Sequence, residues 1–284
     1  MAEILKGAPV AAALNEETAA RAAALRERGV VPTLAILRVG AREDDLSYER
    51  GAVKRCTQLG VETRCIALGD DVDAPTFYAA LDALNRDAAV HGILLLRPLP
   101  ERLDNERARR AVAPEKDVDG CTDGSLAGVF TGAPLGFPPC TARAAVELLD
   151  YYAVPCAGRR AAVIGRSLVV GRPAAMLLLA RNATVTLCHS ATADLVAAVR
   201  EADIVVVCAG QAERFGGDCF RAGQTVVDVG IHWNGEKGRL CGDVRFEETE
   251  PLVSAITPVP GGVGAVTTAV LVRQVVEAAE RSLR

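Results

Sequence analysis

Apolar positions along this chain keep two rhythms that alternate. Val31–Gly40 reads VPTLAILRVG, a nearly unbroken aliphatic run closed by glycine, which predicts a buried strand. Residues 44–59 predict a helix, Glu62–Ala67 a short strand and Ala74–Arg86 a second helix. Gly92–Leu96 predicts another strand, stopped by Arg97-Pro98-Leu99-Pro100. The alanine-rich first 30 residues carry charges at helical spacing and predict an amphipathic helix at the start. Residues 119–141 read as a loop, with five glycines and three prolines between Gly120 and Pro139.

The alternation then resumes. Thr141–Tyr151 predicts a helix, and strands are expected at Arg160–Ile164, Thr184–Cys188, Ile204–Cys208 and Thr225–Val229. Helices are expected near Arg172–Arg181 and Thr192–Glu201, and a last amphipathic helix over 266–283. Strands alternating with helices indicate α/β layers and mostly parallel sheets. The expected organisation is two α/β domains, 1–140 and 141–265, the second a Rossmann-type nucleotide-binding unit.

Composition narrows the function. Of 284 residues, 50% are hydrophobic but only 4% aromatic, so alanine, valine and leucine must fill the core. A net charge of −4 argues against a broad basic face for nucleic acid. The apolar runs GILLL and DIVVVCAG are far too short to span a membrane, and MAEILKGAPV lacks the pattern of a secretory signal, so a cytoplasmic protein is expected. Nine cysteines without a C-x-x-C pair, and three dispersed histidines (91, 189, 232), give no expected metal site and predict reduced thiols.

Gly165-Arg166-Ser167-Leu168-Val169-Val170-Gly171-Arg172-Pro173 joins a strand to a helix. Glycine permits a tight turn there, and the helix start offers free N–H groups to a pyrophosphate. The spacing is G-x-S-x-x-x-G, which alone also suits a plain βα turn. The following strand ends in His189-Ser190-Ala191-Thr192, without the carboxylate that would hold a free ribose 2′-hydroxyl. Arg166 beside the turn favours a 2′-phosphate, hence NADP, with NAD as the alternative.

Lys116-Asp117-Val118-Asp119-Gly120, Pro139-Cys140-Thr141, the glycine turn, Val227-Asp228-Val229-Gly230-Ile231 and Ile256-Thr257-Pro258-Val259-Pro260-Gly261-Gly262-Val263-Gly264 occur in that order. Together they resemble the methylenetetrahydrofolate dehydrogenase/cyclohydrolase family over nearly the whole chain. The resemblance implies two α/β domains around a cleft, a C-terminal helix (266–284) packed back on the first domain, and a homodimer. It also implies folate in the cleft and NADP or NAD on the second domain. By position, Tyr48 matches a folate-stacking tyrosine and Asp119 the aspartate that holds the pterin amino edge. Pro260, Gly261 and Gly262 match substrate contacts. Gly165, Arg166, Ser167, Ser190 and Ile231 match cofactor contacts. Each also has a plainer reading: packing for Tyr48 and Ile231, loop capping for Asp119, a helix cap for Ser190, a solvated charge for Arg166.

Two positions depart from the family pattern. Ala52 stands where bifunctional members carry a catalytic lysine, four residues after Tyr48, and Leu96 stands where they carry its glutamine partner. Lys54, at i+6, should turn away from Tyr48 on a helix, and strand alternation should turn Arg97 away from the Leu96 side. Hydride transfer from a methylene bridge needs mainly orientation, whereas hydrolysis of the methenyl product needs a positioned proton-transfer group. The expectation is therefore an NADP-dependent methylenetetrahydrofolate dehydrogenase with weak or absent cyclohydrolase activity. The alternatives are the fully bifunctional enzyme, a non-catalytic folate- or nucleotide-binding protein, and a dehydrogenase for a non-folate substrate.

Overall fold

The computed structural model describes residues 1–283; Arg284, the end of the expected 266–284 helix, lies outside the described residues. In chain order the elements are β1 (Glu3–Ile4), α1 (Gly7–Glu27), β2 (Thr33–Val39), α2 (Glu43–Gln58), β3 (Glu62–Leu68), α3 (Ala74–Arg86) and β4 (Gly92–Leu95). Then come α4 (Asn105–Ala111), α5 (Asp123–Thr131), α6 (Cys140–Tyr151), β5 (Arg160–Ile164), α7 (Gly171–Leu179), β6 (Thr184–Cys188) and α8 (Leu195–Glu201). The chain closes with β7 (Ile204–Val207), β8 (Thr225–Asp228), β9 (His232–Asn234), β10 (Arg239–Cys241), α9 (Phe246–Thr249), β11 (Ala255–Ile256) and α10 (Val263–Arg281).

The chain forms two compact units. One comprises Ala13–Cys140 and the residues from Thr268 onward, around the parallel sheet β3-β2-β4. Its core gathers Leu37, Phe77, Leu81, Ile93, Leu95 and Leu103. The other comprises Met1–Ala12 and Thr141–Thr267, around the sheet β1-β11-β8-β7-β5-β6, whose paired strands all run parallel. The α/β reading with parallel sheets is thus borne out. Central strands β5, β7 and β8 are buried along almost their whole length, whereas edge strands β3 and β6 alternate or lie open.

The expected 1–140 domain needs correction at its start. The chain opens with β1, not with a helix, and β1 joins the six-stranded sheet: Glu3 N–H donates to Ser254 O (2.8 Å) and Leu5 N–H to Ile256 O (2.9 Å). Residues 1–12 therefore belong with the second unit. The stretch 119–141 is not loop throughout, since α5 occupies its middle. Thr122 caps α5 by accepting from Ser125 N–H, and Gly132 ends it in the left-handed conformation (φ +73°). Gly128 serves packing there: a Cβ would stand 2.1 Å from Leu135 O. Helix α8 starts at Leu195 rather than Thr192, because Asp194 is the residue that caps it, accepting from Ala197 N–H.

Candidate active site

In the three-stranded unit the KDVDG segment is held from below. Lys116 Nζ donates to the carbonyls of Leu84 (3.1 Å) and Asp87 (2.7 Å), at the end of α3. Asp117, fully buried, accepts from Cys121 N–H, Thr122 N–H and Ser125 Oγ–H. Gln274 of α10 donates to Val118 O (2.7 Å) and Pro138 O (3.1 Å), joining this segment to the Pro-Pro-Cys turn. The residues on both sides of Asp119 are thereby tied to the body of the unit.

Burial pushes the Asp119 carboxyl up to about 6; the nearby Asp117 charge adds to the rise, while the Arg97 charge and a hydrogen bond with Cys140 oppose it. Tyr48 on α2 is 36% exposed, and its hydroxyl is held neutral mainly by desolvation, with the Asp119 charge second. The two candidate folate residues therefore share one electrostatic neighbourhood. An ionised carboxylate there can accept two donors from a 2-amino-pyrimidinone, which fixes ring orientation.

Ala52, one turn after Tyr48, is 1% exposed, and Leu96 is 7% exposed. Lys54 is exposed, as its helical offset predicts. β4 ends at Leu95, so strand alternation does not extend to residue 97, and the Arg97 charge acts on both Asp119 and Cys121.

In the six-stranded unit, β5 has β6 on one side and β7 on the other, so the chain reverses its winding at β5. Ligands of open α/β sheets lie beyond the strand ends at such a point. A pocket of about 460 Å³ opens there, lined by Gly165 and Arg166 after β5, His189, Ser190 and Thr192 after β6, and Gln211, Arg214 and Phe215 after β7. No carboxylate lines it. Gly165 has φ +132°, and a Cβ on it would stand 2.3 Å from Cys208 O, so only glycine allows β5 and β7 to end so close together. These residues fit a dinucleotide with a phosphorylated ribose: a backbone cradle, a hydroxyl, an arginine and no competing acid.

Ser167 serves the turn itself, its Oγ accepting from Val170 N–H (3.1 Å) and Gly171 N–H (3.4 Å). Ile231 lies between β8 and β9 and is 61% exposed, outside the lining of that pocket. Pro260, Gly261 and Gly262 form the turn before α10, and Gly7 N–H donates to Gly261 O (2.8 Å). Sequence reasoning assigned no role to Asp243, which is buried and accepts from Ala209 (2.7 Å), Gly210 (3.1 Å) and Gln211 (2.8 Å) N–H groups. Its partner Asp228 accepts from Gly230, Asp243 and Val244 N–H, and burial pushes it up to about 7 despite those bonds. Arg214 was likewise missed; a single arginine in a loop carries no motif.

Residues 5–119 match the catalytic domain of tetrahydrofolate dehydrogenase/cyclohydrolase, and residues 139–283 match its NAD(P)-binding domain. The chain is 50% identical over 281 residues to the bifunctional protein FolD of Carboxydothermus hydrogenoformans, covering 99% of this chain and 98% of that one. The bifunctional enzyme FolD of Campylobacter jejuni has a similar crystal structure, with TM-score 0.95 and 35% identity over 99% of both chains. Similar too is the methylenetetrahydrofolate dehydrogenase-cyclohydrolase of Trypanosoma brucei, solved with NADP and an inhibitor, at TM-score 0.91 and 34% identity over 100% of this chain and 99% of that one. The chain belongs to the tetrahydrofolate dehydrogenase/cyclohydrolase family.

Proposed function

We propose that the protein oxidises 5,10-methylenetetrahydrofolate to 5,10-methenyltetrahydrofolate with NADP as hydride acceptor. The observation that carries this reading is the acid-free pocket at the reversal point of the six-stranded sheet, with Arg166 and Ser190 in its lining. Bound NADP supplies the redox chemistry. The chain's residues supply binding and orientation. Asp119 accepts from the pterin amino edge, Tyr48 stacks on the ring, and Pro260, Gly261 and Gly262 approach it through backbone. Gly165, Arg166, Ser167, Ser190 and Ile231 seat the dinucleotide. The cation produced on the folate is stabilised by its own two nitrogens, so no general acid or base is needed at that step.

Hydrolysis of the methenyl product makes a different demand. Water must add, protons must move and a ring C–N bond must break. Ala52 and Leu96 are both apolar and buried, which supports weak or absent cyclohydrolase activity. The fully bifunctional enzyme is the second reading, and the names of the relatives above favour it. One time course separates them. Protein is given methylenetetrahydrofolate with NADP, and with NAD in parallel, while reduced nicotinamide and methenyltetrahydrofolate are followed separately. Equal rise of both supports the narrower reading; reduced cofactor rising while methenyltetrahydrofolate stays low establishes hydrolysis. No rise of reduced cofactor, with folate still bound, favours a binding protein.

A cytoplasmic homodimer completes the proposal. All nine cysteines are free thiols, which suits a reducing compartment, and no described helix is long and apolar enough to cross a membrane. Sedimentation of the purified chain tests the dimer.

A further inference from the structure

Arg166 and Arg214 line the same pocket from different loops, one after β5 and one after β7. Neither guanidinium has a hydrogen bond or ion pair with any described residue, and Arg214 contributes only its backbone N–H, to Gln211 O (3.3 Å). The nearest carboxylate in sequence, Glu213, is already engaged by Lys237 Nζ (2.6 Å) and Asn234 Nδ2 (2.6 Å). The backbone that carries Arg214 is pinned on both sides. Gln211 N–H is held by the Asp243 carboxylate (2.8 Å), and Phe215 N–H donates to Asp243 O (3.0 Å). The flanking Phe215 is buried. The loop thus presents an unpaired cation from a fixed backbone into a pocket that contains a second one, with hydroxyls and an imidazole on its β6 side and no acid.

We propose that Arg214 is a specificity-determining residue, a second cation that closes on the phosphate monoester of the cofactor's adenosine ribose opposite Arg166. This rests on the NADP reading above and deepens it. Two guanidiniums on a dianionic phosphate offer charge-assisted, forked bonds that a free 2′-hydroxyl cannot return. The discrimination between NADP and NAD is therefore shared between the β5 and β7 loops, rather than held by the β5 turn alone.

The test is calorimetric titration of the full chain with NADP and with NAD, for the wild type, Arg214→Gln, Arg214→Lys and Arg166→Gln. Arg214→Gln is expected to weaken NADP on the order of 10- to 100-fold, with NAD nearly unchanged. Arg214→Lys should recover part of the loss. In the wild type 2′-AMP should compete with NADP better than 5′-AMP, and in Arg214→Gln that advantage should shrink. An equal loss for both dinucleotides, or no loss for either, overturns the role of Arg214 while leaving the NADP reading intact. A wild type without preference for NADP over NAD overturns the NADP reading and this proposal with it.

Discussion

His232 Nε2 lies 2.8 Å from Asp243 Oδ1, a carboxylate with no exposure to solvent. The same side chain accepts from three successive backbone N–H groups at Ala209, Gly210 and Gln211. One acid behind the β9–β10 hairpin therefore shapes the loop after β7, and with it one wall of the nucleotide pocket. Replacing Asp243 by alanine orphans that set of donors. Hydrogen bonds to charged groups contribute roughly 1.5–3 kcal/mol each, and they act as a unit here, so a loss on the order of 3 kcal/mol is expected. Denaturant unfolding measures it. KM for the dinucleotide should rise more than KM for the folate, and unchanged stability would show that the loop holds itself.

Arg97 and Asp119 give a pH prediction. Asp119 sits near 6, above the usual carboxylate range, and Arg97 opposes that rise. In the proposed role of Asp119 the ionised acid accepts from the folate, so kcat/KM for the folate should fall on the acid side near that value. Arg97→Leu removes the opposing charge, raises the Asp119 pKa further and moves this limb to higher pH. The linked effect on folding has the opposite sense to that of a salt-bridged acid. Between the unfolded value of about 4 and the folded value, the folded state holds more protons, so this group's contribution to stability declines as pH rises through that window. Activity profiles of the two proteins between about pH 5 and 8 are the measurement. A limb that stays in place would mean the Arg97 charge is not felt by the acid.

Ala52→Lys combined with Leu96→Gln should raise methenyltetrahydrofolate hydrolysis if the apolar pair is what limits it. The ammonium would sit where alanine is now buried, so desolvation would lower its pKa toward the range useful for proton transfer. A gain on the order of 100-fold over the parent is the expected size for a positioned general acid–base group. Dehydrogenase turnover should change much less. A parent that already hydrolyses as fast as the double variant would return the protein to the bifunctional reading.

Gly165→Ala places a Cβ 2.3 Å from Cys208 O at a φ of +132°. Strain of this kind costs on the order of 1–3 kcal/mol, and β5 and β7 must part to relieve it. Thermal unfolding should fall accordingly, and dinucleotide affinity should fall with it. Retained affinity in a destabilised variant would separate the glycine's packing role from its place in the cradle.

The central strands were legible because parallel strands covered on both faces are written as unbroken aliphatic runs, as in Ile204–Val207. β1 was not, because two residues have no rhythm and its pairing with Ala255–Ile256 is visible only in space. α5 hid behind Gly124, Gly128 and Gly132, which look like a loop although Gly128 is there for close packing. Tyr48, Asp119 and the glycine turn lie in short, ordered segments and could be found by resemblance. Asp243 and Arg214 depend on contacts with distant segments, and neither residue type announces its role. Arg97 lies past the last residue of β4, so strand alternation does not decide which way it faces.

Gln274, near the end of the chain, joins the carbonyls of Val118 and Pro138. β1, at the other extreme, pairs only with β11, itself among the last segments synthesised. Neither unit can be finished until the segments from β11 to α10 have been synthesised. The segment carrying Asp119 waits for the final helix, and the first strand waits for one of the last. Completion of both units is thereby tied to synthesis of the α10 segment, and a nascent chain stalled short of it would present the Asp119 segment without its Gln274 contacts to chaperones and proteases.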